Sequence, residues 1–114
     1  MKKIEEYLDN TISNNASDLH LVGDEKPMLR IKEVLNPIED AHIANEELEK
    51  EIEKILTPDQ QKIFQKNMEL DFGYEYKKSR FRINLHRQQG KIGLAARLIP
   101  SEIPSPEQLN LEEP

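Results

Sequence analysis

Apolar residues recur at two different spacings along this chain, and the switch between them marks out its elements. Ile4, Leu8 and Ile12 lie at helical spacing, which predicts an amphipathic helix from about Lys2 to Asn14, ended by Asn14 and Asn15. Ser17 to Val22 and Met28 to Ile38 alternate instead, the second broken near Lys32–Glu33, and read as short strands. Leu19 and Leu21 point one way there; Asp18 and His20 point the other. The helical period returns from Asn45 to Leu56. Asn45 is placed to cap that helix, Glu46 and Glu47 suit the positive end of its dipole, and Leu48, Ile52 and Ile55 form its buried stripe. Thr57-Pro58-Asp59-Gln60 is a stronger start signal: a threonine cap, proline at the first helical position and glutamine three residues after the cap. It predicts a short helix that buries Ile63 and Phe64 and ends near Asn67.

From Met68 the period is two. Leu70, Phe72, Tyr74 and Tyr76 alternate with Glu69, Asp71, Gly73 and Glu75, and further strands are expected from about Ser79 to Gln88 and Lys91 to Ile99. The result is a three-stranded antiparallel meander following two helices. A two-residue turn at Gln89–Gly90 pairs Gln88 with Lys91, and Leu85 then faces Leu94, Ile83 faces Ala96 and Phe81 faces Leu98. A slip of one residue sets Phe81 against Arg97 and mixes the faces, so the apolar pattern selects the first register. Residues 100 to 114 hold four of the seven prolines, with serines and glutamates between, and read as a linker leading to a further domain.

Composition sharpens this picture. The 114 residues suit one domain. The absence of cysteine excludes disulfides, thiolate zinc sites and cysteine nucleophiles. No apolar run approaches the roughly 20 residues of a membrane span, and the opening MKKIEEYLDN lacks the pattern of a secretory signal, so a soluble cytoplasmic protein is expected. The net charge of -6 hides an uneven distribution. Lys77, Lys78, Arg80, Arg82, Arg87, Lys91 and Arg97 fall in a stretch without Asp or Glu, and four of the five arginines lie there. A cationic element in an acidic protein receives an anion, docks a partner, or simply offsets acidic helices beside it.

In the selected register Arg82 lies directly across from Arg97 on the polar face. Opposed like charges destabilise a strand pair by about 0.2–1 kcal/mol. Two adjacent guanidiniums make sense with an anion, best a phosphate, between or above them, because each offers a planar fork of donors. The plainer alternative pairs them internally with Asp18, Glu69 or Asp71. His20, His42 and His86 match no metal-ligand spacing, and Ser17, Asp18 and His20 lack the facing needed for a nucleophilic triad.

The stretches ASDLHL (Ala16 to Leu21), PMLRI (Pro27 to Ile31), ELDFGYEY (Glu69 to Tyr76), RFRINLHRQQGKIGLAARLIP (Arg80 to Pro100) and SEIPSPEQLNL (Ser101 to Leu111) resemble the N-terminal domain of type IV pilus retraction ATPases, within the secretion ATPases. The resemblance implies a PAS-like α+β domain over residues 1–99, a mainly antiparallel twisted sheet packed with about three helices. A linker over residues 100–114 would join it to a RecA-like motor in a homo-hexamer at the cytoplasmic face of the inner membrane, working with the pilus machinery. ATP and magnesium belong to the motor; no GxxxxGK[ST] phosphate loop occurs in these residues, so the chain by itself is expected to have no ATPase activity. The resemblance assigns the contacts to ATP phosphates to Arg82 and Arg97, with Arg80 and Arg87 secondary. It departs at Lys32-Glu33, where the family usually has a turn such as Asp-Gly. Competing readings are an assembly or type II secretion ATPase domain and a free-standing PAS-like sensor with a closed apolar pocket. Nucleic-acid binding through the basic hairpin is disfavoured, since no aromatic shares the face of the bases.

Overall fold

A computed structural model describes residues 1–100; the linker expected over residues 100–114 lies, beyond Pro100, outside the described residues. The elements are α1 (Ile4–Ser13), β1 (Asp18–Val22), β2 (Met28–Ile31), β3 (Val34–Pro37), α2 (Asn45–Glu53), α3 (Pro58–Asn67), β4 (Glu69–Tyr76), β5 (Ser79–Gln88) and β6 (Lys91–Ile99). The strands form one antiparallel sheet in the order β3-β2-β1-β6-β5-β4. The N-terminal hairpin and the C-terminal meander therefore join through β1 and β6, the first and last strands among the described residues. This is the expected α+β architecture.

The three helices cover one face of the sheet. Leu19, Leu21, Leu29, Phe81, Ile83, Leu85, Ile92, Leu94 and Ala96 point into it and are buried against Ile4, Tyr7 and Leu8 of α1, Leu48 and Ile52 of α2 and Phe64 of α3. Polar contacts reinforce the layer. Tyr74 donates to Glu5 at 2.9 Å and Tyr76 donates to Asp9 at 3.0 Å, which ties α1 to β4. Burial and the Glu5 carboxylate push the Tyr74 hydroxyl up to about 12. Among the described residues the opposite face carries no helix.

The capping box of α3 forms as its sequence requires: Gln60 N–H donates to Thr57 Oγ1 at 3.1 Å and Thr57 N–H to Gln60 Oε1 at 2.9 Å. Ile63, however, is 45% exposed; Phe64 alone of this helix enters the core. Helix α2 stops at Glu53, so Ile55 follows it, half-buried, and Leu56 takes the core position. The residue at the cap of α2 is Ala44, not Asn45. Asn45 has a different task. Its Oδ1 accepts from the Ile92 N–H at 2.9 Å, and its Nδ2 donates to the Gly90 carbonyl at 3.3 Å, pinning α2 to the start of β6. Gly23 donates to the Ile92 carbonyl at 2.9 Å, and a Cβ on Gly23 would stand 1.9 Å from Asn45 Oδ1. The glycine is required by that close approach.

Both two-residue turns flagged in the sequence form with left-handed central residues, Gln89 (φ 54°) with Gly90 (φ 80°) and Lys32 (φ 50°) with Glu33 (φ 70°). That conformation matches the right-handed twist of the flanking strands. The departure from an Asp-Gly turn at Lys32-Glu33 leaves the hairpin intact.

Asn45→Ala is expected to cost about 1–3 kcal/mol in urea unfolding, since it leaves the Ile92 N–H without its acceptor. Gly23→Ala should cost a similar amount, and the double variant less than the sum, because both remove one contact.

Candidate functional site

The uncovered face is built from the alternate positions of the same strands. The observed register sets Arg82 opposite Arg97, Ile83 opposite Ala96 and Leu85 opposite Leu94. Asp18 lies opposite Arg97 on one side and Arg30 on the other. One row across the sheet therefore reads Arg30, Asp18, Arg97, Arg82. An open groove of about 600 Å³ runs along it, lined by Asp18, Arg30, Glu33, Arg82, Asn84 and Arg97. Arg30 was not among the candidates read from the sequence, because its place in this row depends on β1 lying between β2 and β6.

The seven bases of the cationic stretch divide cleanly. Lys77 pairs with Asp9 at 3.0 Å, Arg80 with Glu75 at 2.8 Å, Arg87 with Glu49 at 2.6 Å and Lys91 with Asp24 at 3.9 Å. Among the described residues, Lys78, Arg82 and Arg97 make no ion pair or side-chain hydrogen bond. Lys77 and Arg87 do offset acidic helices. Arg82 and Arg97 do not. The acids proposed as their internal partners are engaged elsewhere: Glu69 and Asp71 accept from Asn84, at 3.3 and 3.2 Å.

Asp18 is held by two hydrogen bonds and an ion pair. Ser17 Oγ donates to its Oδ1 at 2.6 Å, while the His20 ring and Arg30 Nε, the latter 3.5 Å away, engage its Oδ2. Burial alone would push the Asp18 carboxyl up, but Ser17, His20 and Arg30 together outweigh that and hold it below its ordinary value of 3.8. Ser17 bonds to the aspartate and not to the histidine, so no nucleophile is activated here. The His86 ring packs against Gly93, where an added Cβ would be 2.4 Å from the imidazole Nε2, and His42 sits exposed in the loop before α2.

Arg87 belongs to the other face. It meets Glu49 through both terminal nitrogens, at 3.2 and 2.6 Å, and stacks 5.1 Å from the centre of the Phe64 ring. The Glu49 carboxylate raises the Arg87 guanidinium, and Arg87 in turn lowers Glu49. Arg87 is thus apart from Arg82 and Arg97. Arg80 shares their face but lies one row further toward the β4–β5 turn, bonded to Glu75. The cavity among α2, α3 and the β5–β6 hairpin measures about 30 Å³, room for about one water, which gives a sensor ligand no space there. Among the described residues no helix is long and apolar enough to cross a membrane.

The fold is one found in solved secretion ATPases. The crystal structure of the pilus retraction motor PilT with bound ADP superimposes at a TM-score of 0.83 and 28% identity, over 99% of this chain and 34% of that one. The Legionella pneumophila ATPase DotB superimposes at 0.75 and 25% identity, over 96% of this chain and 32% of that one. In sequence, the type IV pilus retraction ATPase PilT of Pseudomonas aeruginosa is 32% identical over 111 residues, which are 96% of this chain and 32% of that protein. No protein-family model matches the chain. The chain spans about a third of the length of these relatives and is similar to the N-terminal part of PilT-like secretion ATPases.

Two measurements follow from the partition of charge. Arg87→Ala should lower stability by about 1–2 kcal/mol through loss of the Glu49 and Phe64 contacts, whereas Arg82→Thr should be neutral or stabilising by about 0.2–1 kcal/mol, as thermal melts would show. Because Asp18 titrates lower when folded than unfolded, its contribution is complete above the unfolded value near 3.8 and is lost as pH falls through the folded one. Asp18→Asn should therefore flatten part of the acid limb of a stability–pH curve, leaving the parts due to Asp9 and Glu49, which are lowered too.

Proposed function

We propose that this chain is the N-terminal coupling domain of a hexameric pilus-retraction ATPase, and that Arg82 and Arg97 contact the phosphates of ATP held by a RecA-like motor domain of the same or a neighbouring subunit. The observation that carries this reading is the exposed, directly opposed arginine pair, neither member of which makes an ion pair among the described residues. Its support from the comparisons is the ADP bound by the PilT structure and the ATPase activity named for the relatives.

The arginines act through position and charge. Their two planar forks, held on adjacent strands, supply donors to negative charge on the phosphoryl group being transferred. The strands are rigid, so the pair approaches or leaves nucleotide only with the whole domain. Closure is then favoured while the γ-phosphate is present and loses that advantage on hydrolysis, which shifts the population of domain orientations. Magnesium and the phosphate loop are assigned to the motor. Arg80, already bonded to Glu75, has at most a supporting place, and Arg87 has a structural one.

The similarity to DotB also supports a wider reading, a secretion or assembly motor in place of a retraction motor. The arginine pair serves either in the same way.

The 114-residue chain by itself should show no ATP turnover. In a full-length ATPase carrying it, Arg97→Ala should cut turnover at least about tenfold with the hexamer intact, in line with arginines that meet a transferring phosphoryl group. Unchanged turnover in an intact hexamer would sink the assignment.

A further inference from the structure

Asp18 occupies an unusual place in the arginine row. It is a carboxylate directly beside Arg97, across one strand gap, in a groove read above as receiving phosphate. Directly opposed side chains on neighbouring antiparallel strands have Cβ atoms about 4.5–5.5 Å apart, well within reach of a guanidinium. An Asp18–Arg97 ion pair is therefore the default expectation for this register. It does not form. Asp18 turns the other way, to Ser17, His20 and Arg30.

The choice has a visible cause. The Asp18 carboxylate has its Oδ1 taken by the Ser17 hydroxyl, and its Oδ2 shared between the His20 ring and Arg30. Ser17 is itself fixed to β2, since its Oγ reaches the Arg30 carbonyl at 3.3 Å and its N–H donates to the same carbonyl at 2.9 Å. Arg30 is fixed in turn: a terminal nitrogen donates to the Glu33 carbonyl at 3.4 Å, in the turn between β2 and β3. The groups facing Asp18 are thus His20 on its own strand, Ser17 immediately before it, Arg30 on the β2 side, the turn with Glu33 beyond, and Arg97 on the β6 side. All the groups that it uses come from its own segment of chain and the β2 side.

We infer that Ser17, His20 and Arg30 are positioning residues that hold Asp18 away from Arg97, and that Asp18, when released, is a built-in competitor that occupies Arg97 in place of the phosphate. The inference rests on the reading of Arg82 and Arg97 as an anion-binding pair and adds a control on it. With the clamp closed, Arg97 keeps its donors for the anion. With the clamp open, the carboxylate takes them, and Arg82 is left to bind alone. A domain that must both grip and release nucleotide gains a local means of weakening its grip without moving either strand.

The test uses the 114-residue chain with inorganic tripolyphosphate as the probe, following the Nε–Hε signals of Arg82 and Arg97 by NMR. Arg30→Gln should weaken binding about two- to fivefold, the scale of an exposed ion pair gaining a competitor, and Ser17→Ala should act in the same direction. Arg30→Lys should keep most of the affinity. In the Asp18→Asn background, Arg30→Gln should have almost no further effect. An equal loss with and without Asp18 would mean that Arg30 touches the anion itself, and would overturn the inference. A second arm needs no anion. The carboxyl titration of Asp18 should respond little to Arg97→Gln in the parent chain, yet move up clearly when Arg97→Gln is added to Arg30→Gln. The absence of that coupling would overturn the clamp. If the parent chain fails to bind tripolyphosphate, the anion-site reading falls, while the carboxyl titration still decides which way Asp18 turns.

Discussion

The register between β5 and β6 is the constraint on which the rest of the molecule depends. Phe81, Ile83 and Leu85 face Leu98, Ala96 and Leu94, and the side-chain period of two then leaves Arg82 and Arg97 together on the other face. Burying one large apolar side chain contributes about 1.5–3 kcal/mol. The repulsion between two exposed guanidiniums across strands costs about 0.2–1 kcal/mol. Several buried pairs oppose one exposed repulsion, so the apolar face wins, and the arginine pair is carried as its consequence. A slip of one residue, which would separate the arginines, would turn the apolar face of one strand out to solvent.

A second constraint is the one-sided cover of the sheet. With all three helices on the apolar face, the other face keeps polar and charged side chains in contact with water, where unpaired guanidiniums are tolerable. The cationic stretch is thereby split by face as well as by partner. Arg87, on the helix side, is half-buried and needs Glu49; Arg82, on the open side, needs nothing for stability. Among the described residues, the lack of a structural partner is what distinguishes the pair from the other three arginines, Arg30, Arg80 and Arg87, each paired with an acid.

Strand order then brings the two halves of the chain together. Because β1 lies between β2 and β6, the N-terminal hairpin contributes Asp18 and Arg30 to a row whose other members come from the C-terminal meander. The groove is consequently a joint product of residues nearly eighty positions apart. The Asn45 contacts with Gly90 and Ile92, and the approach of Gly23 to Asn45, keep this seam closed at one end of β6.

Periodicity in the chain was enough to determine the elements, the β5–β6 register and hence the pairing of Arg82 with Arg97, since each follows from local alternation and a two-residue turn. The Thr57–Gln60 capping box was legible for the same reason: its partners are three residues apart. Asn45 read as a cap because capping is the local use of asparagine, and its real partners, on β6 and in the turn before it, are far off in sequence. Ile63 read as core because a helix pattern does not say how much of its face a neighbour covers. The partners of each base, the place of Arg30 beside the site and the direction in which Asp18 turns were decided only by tertiary structure. They depend on which strands lie side by side, and backbone hydrogen bonding between distant strands is set by the burial of the whole sheet, not by the residues of any one strand.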